Sequence, residues 1–184
     1  MPTTDKLNQS SFSHKIMQKF EKTDDTKIIK KGDCLIREGE IEKQVYFITS
    51  GAVKLFYLSE LGERIIRFGY EGSIINSLSS FLTNEPSEFY IEAIRKTEVK
   101  IIRKEEIENL IYENEESLKE YSKFLEELLA QQMAREIDLL TSSPNKRLER
   151  VLERSPDLFQ HVPLKYIAAY LRMNPETLSR IRKS

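Results

Sequence analysis

Glycine divides this chain into two parts that must fold differently. All six glycines lie between Gly32 and Gly72 of the 184 residues. Around them, short runs rich in Ile, Val, Phe and Tyr alternate with turns, a pattern typical of closely spaced strands. We therefore predict an all-β sandwich or barrel from about Ile28 to Ile102 and helices in the glycine-free part that follows.

Four segments of this block show the strand pattern most clearly: QVYFIT, AVKLFYL, ERIIRFGY and FYIEAI. The connection SELGE between the second and the third predicts a hairpin. Ahead of the block, the spacing of apolar residues from about Ser11 to Phe20 predicts a short amphipathic helix.

A long helix is predicted after the β-block, because EESLKEYSKFLEELLAQQMAREIDLL carries apolar residues at helical spacing. Its stripe must be buried either on the β-block or against a second copy of the chain. The leucine density and the length favour a dimer helix. The stripe consists of Leu118, Tyr121, Leu125, Leu128 and Leu129.

Three further helices are predicted beyond TSSPNK, where Pro144 suits a first helical turn. RLERVLERS predicts one, and PLKYIAAYLRMNPETLSRIRKS predicts two joined by the turn RMN. Asn174 is a suitable N-cap for the last helix, and Pro175 suits its first position. This order is typical of a helix-turn-helix unit. Arg172 takes the turn position where glycine is usual, at an expected strain cost of about 1 kcal/mol.

The tail is basic although the whole chain has a net charge of only -1. From Pro144 onward the net charge is +5, against -6 for the preceding residues. This asymmetry indicates a polyanionic partner, although a solvated helix with surplus arginines would also produce it. Together with the caps and the turn it favours DNA binding. The outward face of the last helix would present Glu176, Thr177, Ser179, Arg180 and Lys183 to base edges and phosphates.

Composition argues against several other classes of protein. Cys34 is the single cysteine, which excludes an intramolecular disulfide and a cysteine-based zinc site. We find no catalytic nucleophile with a base, no metal-ligand spacing and no phosphate-binding loop, so we expect neither an enzyme nor a metal site. No apolar run approaches the roughly 20 residues of a membrane span. The first residues do not have the pattern of a secretory signal, so we expect a cytoplasmic protein.

The order of these parts resembles the Crp/Fnr superfamily, the cyclic-AMP receptor type of bacterial transcription regulators. KGDCLIREGEIEKQVYFITSGAVKLF is similar to that family's cyclic-nucleotide-binding signature, and IAAYLRMNPETLSRIRKS is similar to its helix-turn-helix. The resemblance implies an α+β fold with three parts. These are a jelly-roll (double-stranded β-helix) sensor over residues 1–115, a dimerisation helix over 116–142 and a DNA-binding domain over 143–184. The implied partners are double-stranded DNA, a second copy of the chain, RNA polymerase and a small-molecule effector.

The stretch GSIINSLSSFLTNEPSEFYIEA corresponds to the phosphate cassette of the nucleotide-binding members. Asn76 and Ser77 stand at the family's Gly-Glu position, and Ser87 and Glu88 stand at its Arg-Ser position. The arginine that pairs with the cyclic phosphate is therefore missing, so we predict no high-affinity cyclic-AMP binding. These four residues and Gln132 of the long helix are candidates for a pocket that takes another effector. Gln132 could equally fix the register of a dimer.

Other sensor types in the superfamily have little support in the sequence. One cysteine cannot hold an iron–sulfur cluster, and the histidines available to a haem, His14 and His161, are expected at the surface. Family members usually continue into a β-wing, whereas this sequence ends at Ser184, so we expect a helix-turn-helix without a full wing. The sequence thus predicts a DNA-binding regulator. The alternative is a ligand- or protein-interaction module whose helix-turn-helix is degenerate.

Overall fold

The computed structural model describes residues 11–182. Within this range eight strands form two antiparallel four-stranded sheets, with the orders β1-β8-β3-β6 and β2-β7-β4-β5. The strands are β1 Thr26–Ile29, β2 Cys34–Ile36, β3 Gln44–Ser50, β4 Ala52–Ser59, β5 Gly62–Tyr70, β6 Ile74–Ile75, β7 Tyr90–Ala93 and β8 Thr97–Arg103.

The described helices flank and follow these sheets. One precedes the roll, a short one interrupts it between β6 and β7, and six follow it. They are α1 Ser11–Lys22, α2 Leu78–Thr83, α3 Lys104–Ile111, α4 Glu115–Leu140, α5 Pro144–Arg154, α6 Leu158–His161, α7 Leu164–Tyr170 and α8 Pro175–Ile181. None of these helices is both long enough and apolar enough to cross a membrane.

The predicted antiparallel β-roll is confirmed. Its inner core lies between the two sheets and includes Ile48, Val53, Ile91 and Val99, each fully buried. The predicted hairpin is β4–β5, where Ala52 pairs with Tyr70 and Ser59 pairs with Gly62. The alternation of inward and outward residues along each strand explains why short apolar runs separated by glycine-containing turns close into a roll.

The first five residues of strand β4, Ala52 to Phe56, are buried on both faces, which is unusual for an antiparallel sheet. Val53 and Leu55 face the inner core, whereas Ala52 and Phe56 belong to a second core formed with the helical tail. The tail supplies residues of α5 to α8 to this second core, among them Ile167 at 0% exposure. The outer face of the β4–β5 sheet is therefore the surface on which the tail packs.

Aromatic and polar contacts hold the tail on the roll. The ring centroids of Phe68 and Tyr170 lie 5.5 Å apart in an edge-to-face arrangement. The rings of Tyr70 and His161 are stacked with centroids 4.6 Å apart, and the Arg95 guanidinium donates to the His161 carbonyl. Because these contacts join strands to tail helices, sheet and tail form one continuous packing unit.

The long helix α4 reaches the tail through one buried carboxylate. Asp138 is 1% exposed, and its Oδ1 lies 2.8 Å from Nε of Arg150. Its Oδ2 pairs with Nη1 of Arg154, also on α5. A buried carboxylate needs such partners to offset the loss of its hydration, so any movement of α4 carries α5 with it.

The turn between α7 and α8 has the backbone that the sequence predicts. Arg172 has a φ of 53°, in the left-handed region that disfavours a residue with a Cβ atom. Its amide donates to the Ala169 carbonyl, and the Met173 amide donates to the Ala168 carbonyl, so hydrogen bonds hold this conformation. The turn is therefore strained but locked.

We expect Arg172→Gly to raise the free energy of unfolding by up to about 1 kcal/mol, because glycine adopts this backbone without a steric penalty. Urea denaturation of the two proteins measures the difference. Arg172→Ala is the matched control, since it removes the same exposed side chain but keeps the Cβ atom. An equal gain in both variants would assign the effect to the lost charge rather than to the backbone.

Candidate functional site

The last two helices form a compact unit whose inner face is apolar. Ile167, Ala168 and Leu171 of the first helix segment and Leu178 of α8 are each fully buried. The side chain of Asn174 accepts a hydrogen bond from the Thr177 amide at 3.0 Å, which caps α8 as its sequence predicts. The small side chain of Ala168 belongs to the same core as Leu178.

The outer face of α8 carries the residues predicted to reach DNA. Glu176 and Arg180 are exposed, and Thr177 and Ser179 are partly exposed. Glu176, Ser179 and Arg180, with Pro175, line one shallow surface depression. The structure thus places the side chains of Glu176, Ser179 and Arg180 together on one side of the helix, opposite Leu178. Lys183, the fifth predicted DNA-contacting residue, lies outside the described residues.

A buried carboxyl group, that of Glu42, lies beside the segment that corresponds to the phosphate cassette. Glu42 is 1% exposed. Its Oε1 accepts hydrogen bonds from the Gln44 amide at 3.0 Å and from the Tyr46 hydroxyl at 3.3 Å. Its Oε2 accepts from the Ser77 amide at 3.3 Å. An acidic group of the chain itself therefore occupies the start of this cassette.

Two predicted pocket residues meet directly in this network. The hydroxyls of Ser77 and Ser87, both buried, are 2.8 Å apart. The Ser87 amide donates to the Glu40 carbonyl at 2.8 Å, and the Glu42 amide donates to the Ser80 hydroxyl at 2.9 Å. The cassette and the loop before β3 are thus joined by hydrogen bonds that are already satisfied within the protein.

The other predicted pocket residues are dispersed. Asn76 is partly buried and lines a cavity between the roll and helices α1, α2 and α4. Glu88 and Gln132 are both exposed. The buried acid beside the cassette is Glu42, not Glu88. Glu42 reaches Ser77 because it lies just before β3, and β3 pairs with β6 inside the cassette.

Burial raises the pKa of Glu42 to about 7, although hydrogen bonds from the Ser77 and Gln44 amides and from Tyr46 favour the charged form. Burial and the neighbouring Glu42 carboxyl raise the pKa of Tyr46 above its ordinary range. The cassette thus holds a carboxyl group whose charge is costly to create. A second negative charge at this place would meet a further penalty.

The structure covers only part of the predicted stripe of α4. Leu118 and Leu129 are 45% and 63% exposed, whereas Tyr121, Leu125 and Leu128 line the cavity beside α1 and the roll. Burial beside the roll therefore applies to part of the stripe, and burial of the exposed part against a second copy of the chain stays a prediction. The exposed leucines continue toward the tail as one apolar stripe, which also contains Met133, Ile137 and Leu140.

Sequence reasoning missed two residues that organise these sites. Glu42 stands in GEIEKQVYF among other charged residues, and nothing in its spacing separates it from the exposed Glu40. Asp138 carried a weak signal, because it lies between Ile137 and Leu139 near the end of the helix. Within residues 11–182 no group of three or more His, Cys, Asp or Glu side chains could hold a metal ion.

We expect Glu42→Gln to change the pH dependence of stability. The folded pKa of about 7 lies above the value of 4.5 for a free carboxyl group, so the native state keeps a proton that the unfolded state releases between these pH values. Stability from this group is therefore present below pH 4.5 and lost as the pH rises to 7. Relative to the wild type, the variant should gain up to about 3 kcal/mol across this window.

Urea denaturation at several pH values tests this expectation. Glu60→Gln, at an exposed position in the β4–β5 turn, makes the same substitution away from the buried carboxyl group and serves as the matched control. A pH-independent difference for Glu42→Gln would mean that the buried carboxyl group does not titrate in this range.

Comparison with known proteins agrees with the roll and the order of the parts. Residues 26–114 match the family of the cyclic nucleotide-binding domain. No curated protein matches the chain in sequence.

Solved structures show the same fold over most of the chain. FixK2 from Bradyrhizobium japonicum is similar at 21% identity with a TM-score of 0.68, over 86% of this chain and 82% of FixK2. The c-di-GMP responsive global regulator CLP from Xanthomonas campestris shares 15% identity with a TM-score of 0.59, over 93% of this chain and 90% of CLP.

The catabolite activator protein of Thermus thermophilus shares 21% identity with a TM-score of 0.57, over 96% of this chain and 84% of its own. At these identities the similarity establishes the fold alone. The chain therefore has an overall fold similar to that of these three proteins, and its residues 26–114 match the cyclic nucleotide-binding domain family.

Proposed function

We propose that this protein is a cytoplasmic bacterial transcription regulator of the Crp/Fnr type. It acts as a homodimer that reads DNA through α8 and senses a small molecule other than cyclic AMP through its roll. The observation that carries the proposal is the capped helix α8, which buries Leu178 and turns Glu176, Thr177, Ser179 and Arg180 outward. Such a helix suits the major groove of DNA.

DNA reading follows from the chemistry of this outward face. Arg180 can pair bidentately with guanine, and Glu176 can accept from the cytosine amino group. Thr177 and Ser179 favour contacts with the phosphate backbone. The net charge of +5 from Pro144 onward adds a sequence-independent attraction to phosphates.

Dimerisation would use the exposed stripe of α4. Leu129, Met133, Ile137 and Leu140 recur at helical spacing and are 63%, 58%, 53% and 79% exposed. Side chains of this size on a helix of 26 residues gain most by packing against an identical helix. Two copies would then present two α8 helices to half-sites about 34 Å apart on the DNA.

The long helix also offers a path from sensor to DNA. In its first half Tyr121 and Phe124 pack against Phe12 of α1 and Leu128 lines the cavity beside the roll, and its last turns hold α5 through Asp138. A ligand that prefers one position of α4 would therefore change the separation of the two recognition helices. RNA polymerase is the expected partner of the DNA-bound dimer.

Arg180→Ala should weaken binding to a selected operator by about 1–3 kcal/mol and relax base preference at one position of each half-site. The operator is first selected from a random duplex library at two salt concentrations, and affinities are then measured by fluorescence anisotropy. Arg64→Ala removes the same charge from an exposed position on β5 and is the matched control. Equal effects of the two variants would reduce the role of Arg180 to net charge.

Absence of any enriched sequence, with weak binding that disappears at moderate salt, would contradict the DNA-reading proposal. The alternative of an interaction module without specific DNA binding would then be preferred.

Met133→Glu should raise the dissociation constant of the dimer by at least about tenfold, because it places a charge in an apolar seam. Sedimentation velocity over a concentration series measures the shift. Lys123→Glu, at an exposed position of α4 off the stripe, is the control and should leave the association unchanged. A dimer that persists in Met133→Glu would place the interface elsewhere.

Cyclic AMP should bind with millimolar or weaker affinity in calorimetry, because the buried Glu42 and the missing arginine disfavour a phosphate in the cassette. Glu42→Ala is the informative variant, since it removes the buried acid without adding an arginine. A micromolar constant for the wild-type protein would contradict the proposal of a different effector.

A further inference from the structure

A lysine is buried where the roll meets the tail. Lys54 is 3% exposed and lies on β4 between Ala52 and Phe56, which share one core with the tail helices. Side chains two positions apart in a strand point to the same face of the sheet. The ammonium group of Lys54 therefore lies within the contact between sheet and tail rather than at the surface of the protein.

Two carboxylates on the neighbouring strands offset the charge of this ammonium group. Glu92 of β7 is the residue directly opposite Lys54 in the sheet, and its Oε1 lies 3.3 Å from Nζ of the lysine. Nζ also donates to Oε2 of Glu63 on β5. The side chains of Glu92 and Glu63 are 23% and 43% exposed, so water reaches both carboxylates although it barely reaches the lysine. The sheet thus holds the ammonium group in place by itself.

The tail meets this ammonium group with an aromatic ring. Nζ of Lys54 lies 4.3 Å from the ring centroid of Phe56 and 5.5 Å from that of Tyr166, which belongs to α7. The face of a ring attracts a cation within about 6 Å, most strongly where water is excluded. The hydrophobic effect that drives the rest of the interface is non-directional. The contact between Lys54 and Tyr166 therefore specifies an orientation of α7 that apolar packing alone does not.

The position of Tyr166 also fixes the position of α8. The helices α7 and α8 pack together through Ile167 and Leu178, each fully buried. The turn at Arg172, whose conformation is held by hydrogen bonds, joins the two helices. They therefore move as one unit, and a contact that holds Tyr166 also holds the outward face of α8.

We propose that Lys54 is a positioning residue for DNA reading, because its buried ammonium group holds Tyr166 and thereby α8 in one orientation relative to the roll. The inference rests on the proposed function, since two copies of α8 must meet two half-sites at a set spacing. Loss of the ammonium group leaves the apolar contacts of the interface in place, and both glutamates can be hydrated. The chain then stays folded but loses the preference for one orientation.

Lys54→Met keeps an unbranched side chain and removes the charge. It should weaken binding to the selected operator about tenfold. It should also bind operators whose half-sites are one base pair closer or farther apart almost as well as the selected one. Lys54→Arg keeps the charge and its attraction to aromatic rings, so it should restore affinity and spacing preference. Lys27→Met, at an exposed position of β1 in the other sheet, is the matched control and should change neither.

A second variant tests whether Lys54 acts through Tyr166. Tyr166→Leu removes the ring and keeps an apolar side chain, so it should reproduce the effect of Lys54→Met. If both residues act through one contact, the double variant should bind no more weakly than either single variant. Losses that multiply in the double variant would overturn the proposal. An unchanged spacing preference in Lys54→Met, with the fold checked by circular dichroism, would overturn it as well.

The orientation of the tail is also measured without DNA, so the positioning role and the proposed function can fail separately. Nitroxide labels on Glu60→Cys and Ala169→Cys, both at exposed positions, are placed in a Cys34→Ser background and diluted with unlabelled chain. Electron–electron resonance then gives the distances between roll and tail. Their distribution should be narrow with Lys54 in place and broader in Lys54→Met.

The two measurements together separate the outcomes. A broader distribution in Lys54→Met without any selected operator would contradict the regulator but keep the positioning role of the lysine. A selected operator with equally narrow distributions in both proteins would overturn the positioning role but keep the regulator.

Discussion

The structure depends on the apolar contact between the outer face of the β4–β5 sheet and the tail helices. Phe56 and Phe68 of the sheet share one core with Ile167 and Leu178 of the tail. Helices as short as α7 and α8 cannot bury enough surface to be stable alone, so the sheet provides the surface that they need. This packing fixes the direction of the outward face of α8 relative to the roll.

Buried charged side chains form ion pairs at two places in this core and at its border. Asp138 ties the end of α4 to α5 through two arginines, and Lys54, at 3% exposure, pairs with Glu63 and Glu92 beneath the tail. Each is partnered because an isolated buried charge would be too costly. Glu42 differs, since its hydrogen bonds come from amides and a hydroxyl, and its charge remains costly to create. The ion pairs that link the elements and the hydrogen bonds around Glu42 in the cassette thus have the same cause, the cost of an unpartnered buried charge.

Sequence reasoning succeeded for features that a few neighbouring residues determine. The hairpin at SELGE, the cap at Asn174 and the strained turn at Arg172 each depend on a few neighbouring residues, and the structure has all three. It did not find Glu42 or the cavity around Phe12, because these combine residues of α1, β3, β6 and α4 that are far apart in the chain. Charge patterns could not separate buried Glu42 from exposed Glu40.

The sequence by itself determined the β-roll, the long helix and the short tail helices, because strand alternation, helical spacing and capping residues act within a few positions of each other. Only the tertiary structure decided which residues of α4 are covered, since Tyr121 and Leu129 belong to one predicted stripe, yet Tyr121 lines the cavity beside α1 whereas Leu129 is 63% exposed. It also decided that Ala52 to Phe56 of β4 are buried on both faces and that a carboxyl group lies beside the cassette. These features depend on contacts between distant segments, which no local pattern encodes.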